Sequence, residues 1–522
     1  MDFSNIDIVV FVGYCLLIIG VGLWMSREKE GHEKNAEDYF LASKSLPWWA
    51  IGASLIASNI SAEQFIGMSG SGYAVGLGIA AYEWMGAITL ILVAKYFMPI
   101  FIKEKIFTMP QFLEHRYNKT VKTTMAVFWL LVYVFVNLTS VMYLGALALE
   151  GIGDVPLLYG IIGLALFSAA YAIYGGLKAV VWTDVLQVVF LVAGGLITTY
   201  LALNQVSEGK GVLAGLGELY NQVPAKFDLI LDKSSEYYKD LPGISVLVGG
   251  LWIANLSYWG CNQYIIQRAL AAKTIGEAQN GVLFAGFLKL IIPLIVVIPG
   301  IAAFVITEGT LGKPDEAYPW LLGIVPTGIK GLAFAALIAA VVSSLSSMIN
   351  SISTIFTMDI YKEYFDKEAS QTKMVFIGRL VSGIALVIAI TVAPQLATLD
   401  QAFQFIQEFT GFVSPGVTVI FLFGFFWKKT TSNGALAAAI LSIPMSYLFM
   451  YFLPEVPFMD RMGYTFLILS AITVLISLIE GSKGLESKGI HFTGDMFKTS
   501  AKFNIGALFL TGIISAIYAL LW

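Results

Sequence analysis

Ile56-Ala57-Ser58-Asn59-Ile60-Ser61-Ala62-Glu63-Gln64 runs through the middle of an apolar, membrane-length segment between Trp48 and Tyr73. Ser58, Asn59, Ser61, Glu63 and Gln64 stand almost side by side in it. A buried polar group without a partner costs roughly 1–3 kcal/mol. Hydrocarbon tolerates such a cluster only where it faces a cavity or protein partners. The stretch therefore reads as the ligand-facing part of a membrane span.

The surrounding chain supplies the membrane context. Its 522 residues are 57% hydrophobic and only 13% charged, with a mean hydropathy of +0.78; soluble globular proteins carry about 25% charged residues. A helix needs about 20 mainly apolar residues to cross a bilayer. Such segments lie near 6–25, 48–72, 78–100, 121–149, 157–174, 179–204, 243–264, 278–306, 329–357, 374–394, 401–427, 432–453, 462–480 and 503–522, which predicts an all-α polytopic membrane protein of 14 transmembrane helices. Continuous runs of this length exclude β-barrel strands, which are shorter and alternate. Of the 31 Lys and Arg, 23 fall on one set of alternate connections and 7 on the other, with Lys289 inside a span. The bias predicts that both termini lie outside the cytoplasm. The first apolar run follows Asp2 and no basic residue, so it reads as a retained helix, not a signal peptide.

Several functional classes drop out. Cys15 and Cys261 lie in separate spans and predict no disulfide framework, and His32, His115 and His491 fall in loops and form no metal or catalytic cluster. The net charge of −4 gives no reason to expect a nucleic-acid partner. No nucleophile and base pair suggests an enzyme. Gly70, Gly72 and Gly76 follow no strand and read as close helix packing.

Ile56-Ala57-Ser58-Asn59-Ile60-Ser61 resembles Ile253-Ala254-Asn255-Leu256-Ser257 if one residue is skipped, and five spans separate the two. Five is odd, so the second unit is inverted relative to the first, as in many transporters. The predicted organisation is an extra helix and loop (1–46), a first five-helix repeat (47–204), an external loop able to form a helix or cap (205–242), a second repeat (243–427) and three further helices (428–522). In both repeats Asn and Ser mark where a helix could unwind.

Lys289 sits too deep in 278–306 for its stem to reach an interface, and Glu83, flanked by Tyr82 and Trp84, is either its candidate counter-charge or an acid at the external interface among belt aromatics. Ser343, Ser344, Ser346 and Ser347 in the ninth span read either as close packing, with hydroxyls bonded to the preceding turn, or as a sodium site completed by carbonyls unwound around 57–60. Gln64, Glu83, Asn255, Lys289 and Gln407 offer the mixed donors and acceptors that a neutral polyol demands, and Tyr258 and Trp259 are either packing residues or stacking faces.

At these residues the chain resembles the solute:sodium symporter family. The matching stretches include Asn59 to Met68, Tyr174-Gly175-Gly176-Leu177 with Thr183-Asp184, Asn262 to Arg268, and Phe403 to Glu408. The resemblance implies a leucine-transporter-like 5+5 inverted-repeat core in a bacterial cytoplasmic membrane. It implies sodium-coupled symport of a monosaccharide, a galactose or glucose-type hexose, by alternating access, with the sugar, the co-transported sodium ion and the lipid bilayer as partners and no obligate protein partner. Carried over position by position, the sodium ligands are the carbonyls of Ala57, Ile60 and Ala340 with the hydroxyls of Ser343 and Ser344. The sugar site is Gln64, Glu83, Asn255, Lys289 and Gln407; Tyr258 is the inner gate, Met68, Tyr82 and Phe403 the outer gate, and Asp184 helps sodium leave. Two positions depart from a galactose-transporting member: Gly86 replaces a serine that contacts the sugar, and Ser257 a tyrosine beside the inner gate. Rival solutes are a sialic acid, an inositol or an amino acid, and the rival class is a sugar-sensing receptor.

Overall fold

A helix can be interrupted inside a membrane only where other groups take over the N–H and C=O it frees. The computed structural model describes residues 4–27, 34–398, 402–483, 488–490 and 492–522, without the side chains of 397–398 and 402–409. Over these residues it is a helical protein in which Leu46 and Ala272 form an isolated bridge and no strand is found.

Eleven helices among the described residues are long and apolar enough to cross a membrane. In chain order the helices used below are α1 (Asn5–Met25), α2 (Trp48–Asn59), α3 (63–74), α4 (Leu77–Lys103), α5 (Lys119–Gly153), α6 (Leu157–Gly175), α7 (Leu177–Val206), α8 (Val212–Gln222), α9 (Gly250–Cys261), α10 (Gln263–Leu270), α11 (Ile275–Ile306), α12 (Ile329–Phe365), α13 (Gln371–Leu396), α14 (Ala402–Phe426), α15 (Ser432–Phe452), α16 (Phe458–Ser482) and α17 (Ala501–Leu520). The count falls short of the fourteen expected because two apolar segments are broken, α2 with α3 and α9 with α10, and because the apolar part of α14 is the shorter stretch Thr410–Phe426.

The first break has a local cause. Helix α2 ends at Asn59, and Ile60 is extended at φ −79 and ψ 116. Ser61-Ala62-Glu63-Gln64 then forms a reciprocal cap: Gln64 Oε1 accepts the Ser61 N–H at 2.8 Å, and Ser61 Oγ accepts the Glu63 N–H at 3.1 Å. This is the Ser-x-x-Gln signature of a helix start, here in mid-membrane. The second break lies at Asn262 (φ −86, ψ 126), whereas Asn255 and Ser257 belong to the intact α9. The expectation that the second helix unwinds at Asn255–Ser257 is thus corrected. The cause is partnering: Tyr133 Oη donates to Asn262 Oδ1 at 2.5 Å and accepts the Gln263 N–H at 3.0 Å.

Small residues let the inner helices approach. A Cβ on Gly52 would stand 2.7 Å from the Gly281 carbonyl oxygen, and one on Gly300 2.0 Å from that of Ser69, so α11 packs backbone to backbone against both halves of the first broken helix. Among the membrane-length helices described, α12 is the most enclosed, with 94% of its most apolar stretch buried, while α1, α15 and α17 bury only 22% of theirs and offer the rest to lipid. The polar segment 205–242, open in sequence to a helix, a cap or a solvated connector, holds α8 and then Lys226, whose Nζ donates to the carbonyls of Tyr73 (2.7 Å) and Ala74 (2.8 Å) at the end of α3. Burial pushes the Lys226 ammonium below its ordinary pKa.

The close approach at Gly300 sets an expectation. Gly300→Ala should cost about 1–3 kcal/mol of stability, read as a lower unfolding midpoint in detergent. Gly463→Ala on α16, where a Cβ meets nothing within 4 Å, should leave the midpoint unchanged.

Candidate functional site

The break between α2 and α3 opens onto a cavity of about 340 Å³. Its inner wall carries Ser58, Asn59, Glu63, Gln64, Glu83, Asn255, Tyr258, Trp259, Lys289 and Ser344, and its mouth is bordered by Lys239–Leu241 and by Pro454–Met462. Lys239 and Glu455 pair across that mouth. Burial holds the Asp240 carboxyl there above the ordinary carboxylate pKa.

Lys289 is 1% exposed and Glu83 3%, so each charge needs the other. The Lys289 ammonium donates to the Glu83 carboxylate, donates to Asn59 Oδ1 at 2.9 Å, and stands 4.5 Å from the Trp259 ring centroid. Asn59 Nδ2 in turn donates to Tyr258 Oη at 3.2 Å. The Tyr258 ring meets Trp259 and Tyr264 edge to face at 5.1 and 5.8 Å. One continuous chain, Glu83–Lys289–Asn59–Tyr258, therefore joins α4, α11, α2 and α9 at the cavity floor. The Asn255 Nδ2 beside it is buried with no partner, on a residue that lines the cavity.

Deeper, Ser344 Oγ on α12 reaches the carbonyl oxygens of Ser58 (3.1 Å) and Ile60 (3.3 Å) at the end of α2. Of the five sodium ligands inferred by resemblance, the structure thus brings Ser344 and Ile60 together and adds the Ser58 carbonyl. Ala57 and Ala340 are fully buried. Ser343 points elsewhere: its hydroxyl donates to Asp184 Oδ1 at 2.6 Å. Asp184 also accepts from Ser54 Oγ (2.5 Å) and from Arg268 Nη2 (3.3 Å). Arg268 donates further through Nε to Ser54 Oγ at 2.7 Å, and to Ser347 Oγ and the Tyr264 carbonyl. Counted by sequence among the loop cations, Arg268 is in fact 1% exposed in the core, and its role is absent from the sequence reading.

Met68, Tyr82, Gln64, Glu83, Asn255, Tyr258 and Lys289 all line the cavity. Gln64 has a part the sequence reading missed, since its oxygen caps α3 and leaves its amide nitrogen for the cavity. Phe403 and Gln407 lie on α14, and their side chains fall outside the described residues. Gly86 sits at the centre of the cluster: a Cβ there would stand 3.1 Å from Trp259 Nε1, 3.2 Å from Asn255 Oδ1 and 3.3 Å from Lys289 Cε.

Residues 39–442 match the Sodium:solute symporter family. The chain belongs to that family. The Sodium/glucose cotransporter of Vibrio parahaemolyticus is 56% identical over 99% of this chain and 98% of its own length. The Sodium/myo-inositol cotransporter 2 of Mus musculus is 35% identical over 84% of this chain and 68% of its own length. Among solved structures, the substrate-bound outward-open state of a Na+-coupled sialic acid symporter superposes with a TM-score of 0.81 at 23% identity, covering 92% of this chain and 98% of the other. A nucleobase-cation-symport-1 family transporter in a closed conformation follows at 0.54 and 13% identity, covering 85% and 96%. These two share the fold. This sodium:solute symporter is a multi-pass membrane transporter that couples its solute to sodium, and it is not an enzyme.

Removing one member of a buried ion pair should cost about 3–5 kcal/mol because it strands the other charge. Lys289→Met is expected to lower the unfolding midpoint in detergent strongly, and Glu83→Gln combined with Lys289→Met to recover most of the loss. A double variant no more stable than the single one would dissolve the pairing.

Proposed function

We propose that this symporter carries a neutral monosaccharide, a glucose- or galactose-type hexose, together with sodium into a bacterial cell across the cytoplasmic membrane. The observation that carries the reading is the cavity floor. It gathers an unpartnered amide at Asn255, a donor at Gln64, an acceptor and a cation tied to each other at Glu83 and Lys289, and the indole of Trp259 along one cavity of about 340 Å³. A neutral polyol uses donors and acceptors together and asks for no free charge. The name borne by the Vibrio parahaemolyticus relative supports a hexose. The mouse relative's name keeps an inositol, also a neutral polyol, as the second reading.

In this reading the protein crosses the membrane fourteen times, with both termini outside. The broken pairs α2/α3 and α9/α10 open the two inverted five-helix repeats at 47–204 and 243–427, flanked by the units 1–46, 205–242 and 428–522. The cavity mouth then faces outward and Tyr258 closes the inner side, with Met68, Tyr82 and Phe403 above the sugar. Gln407 completes the sugar site from α14. Sodium binds where the Ser344 hydroxyl meets the carbonyls at the end of α2, joined by Ala57, Ala340 and, once its hydroxyl turns from Asp184, Ser343, and Asp184 receives the ion on the way inward. Moving one charge through about 100 mV gives ~2.3 kcal/mol. A tenfold sodium gradient adds ~1.4 kcal/mol, so one sodium supports several-hundred-fold accumulation of a neutral solute.

Uptake of labelled glucose and galactose into proteoliposomes decides the matter, with an inward sodium gradient compared with a potassium gradient and with none. Sodium-driven accumulation of a hexose is expected, and uptake of inositol alone would move the assignment to the second reading. Ser344→Ala should raise the sodium concentration for half-maximal uptake at least about tenfold, equal to ~1.4 kcal/mol. Gly86→Ser, pressing on Trp259, Asn255 and Lys289, should change the galactose-to-glucose ratio of apparent affinities by about two- to tenfold, since one hydroxyl contact is worth about 0.5–1.5 kcal/mol. An unaltered ratio would remove Gly86 from the sugar site.

A further inference from the structure

Glu63 is the polar residue of the broken helix that the reading above leaves without a task. It stands at the first position of α3, directly after the break, and lines the same cavity as Gln64, Tyr258 and Lys289. It is half-buried at membrane depth. Among the described residues its carboxylate meets no Lys, Arg or His within ion-pair distance and accepts no hydrogen bond: only the Glu63 backbone is engaged, through its N–H to Ser61 Oγ. Ionisable side chains at this depth are ordinarily paired or functional.

The other charges of the cavity wall are already matched. Lys289 is held by Glu83 and Asn59, Lys239 by Glu455, and Arg461 at the mouth has its own interaction. Asp240 adds a second carboxylate at the rim. Among the described residues Glu63 and Asp240 are then the two lining carboxylates with no ion-pair partner, and Glu63 is the one on the broken helix. Within low-dielectric walls, a fixed charge acts on a bound solute several-fold more strongly than it would in water.

We propose that Glu63 sets the charge selectivity of the solute site: the transporter accepts protonated amino sugars, the 2-amino-2-deoxyhexoses, as further substrates and rejects sugar acids such as hexuronates. The carboxylate faces the ammonium of an amino sugar as a counter-charge and an acceptor. It opposes the carboxylate of a uronate by like-charge repulsion. The inference rests on the hexose reading of the site and adds a substrate class to it.

Competition in proteoliposomes tests this. Labelled galactose is taken up under a sodium gradient against unlabelled galactose, galactosamine and galacturonate, at a pH where the amine is protonated and the acid ionised. With Glu63 present, galactosamine should compete at least about tenfold better than galacturonate. In Glu63→Gln the ratio of their half-inhibitory concentrations should shift toward the acid by at least about tenfold, and labelled galactosamine should accumulate in the parent protein. If Glu63→Gln takes up too little label, the same ratio is read from ligand-induced thermal stabilisation of that variant in detergent. A ratio equal in the parent and Glu63→Gln proteins, by either readout, overturns the proposal. Failure of galactose itself to compete or bind in the parent protein is a separate result: it overturns the hexose reading on which the proposal rests.

Discussion

Everything in the binding region depends on the carbonyl oxygens freed where α2 stops at Asn59. In hydrocarbon they cannot be left bare, because each would cost several kcal/mol. The Ser344 hydroxyl stands against two of them, at Ser58 and Ile60, and so ties α12 to the break. A hydroxyl has one proton to donate and two lone pairs to offer. The oxygens that satisfy one another by a shared proton when no ion is bound are therefore the kind of oxygens a hard cation collects. On the proposed reading, sodium replaces that proton bridge, and the link between α2 and α12 becomes stronger without a new element having to move into place.

Two buried ion pairs hang from the same broken helix at different levels. Lys289 and Glu83 reach it through Asn59 Oδ1; Asp184 and Arg268 reach it through Ser54. Buried pairs add little net stability, since desolvation offsets much of the attraction. Their use here is positional. One fixes α4 and α11, the other α7 and α10, relative to a backbone whose Ile60 N–H makes the last hydrogen bond of α2. The lower pair also keeps Ser343 and Ser347 occupied, which explains why Ser343 does not face the Ser58 and Ile60 carbonyls beside Ser344.

The sequence made the membrane class legible because length and hydropathy decide it, and it made the first break legible because five polar residues in one span have no other explanation. Lys289 could be recognised as a charge too deep to reach water, and Glu83 as a candidate partner for it. The second break was not legible: Asn255 and Ser257 imitate the polar letters of the first, yet their helix stays closed. What opens it, at Asn262, is the hydroxyl of Tyr133 from another helix, a tertiary partner that no local pattern reveals. Arg268 was hidden for the same kind of reason, since a cation near a span end normally marks a loop. One missed feature did have a signal. Ser61-x-x-Gln64 is a helix-start pattern, and reading it as such would have located the break at Ile60 and assigned the Gln64 oxygen to the cap.

Asn59 shows how the solute and ion sites can act on each other. Its carbonyl oxygen accepts from Lys289, its amide nitrogen donates to Tyr258, and its backbone ends the helix whose neighbouring carbonyls meet Ser344. On the proposed reading, a solute hydroxyl that competes for Lys289 loosens the hold on Asn59 Oδ1, which bears on both the Tyr258 contact and the orientation of the freed carbonyls. The influence must run both ways: whatever factor bound sodium contributes to solute affinity, bound solute contributes to sodium affinity, and couplings of this kind amount to about 1–3 kcal/mol. On the proposed reading, coupling of that size needs no long path, because the side chain that lines the cavity belongs to Asn59 and the carbonyls that meet Ser344 to its two chain neighbours.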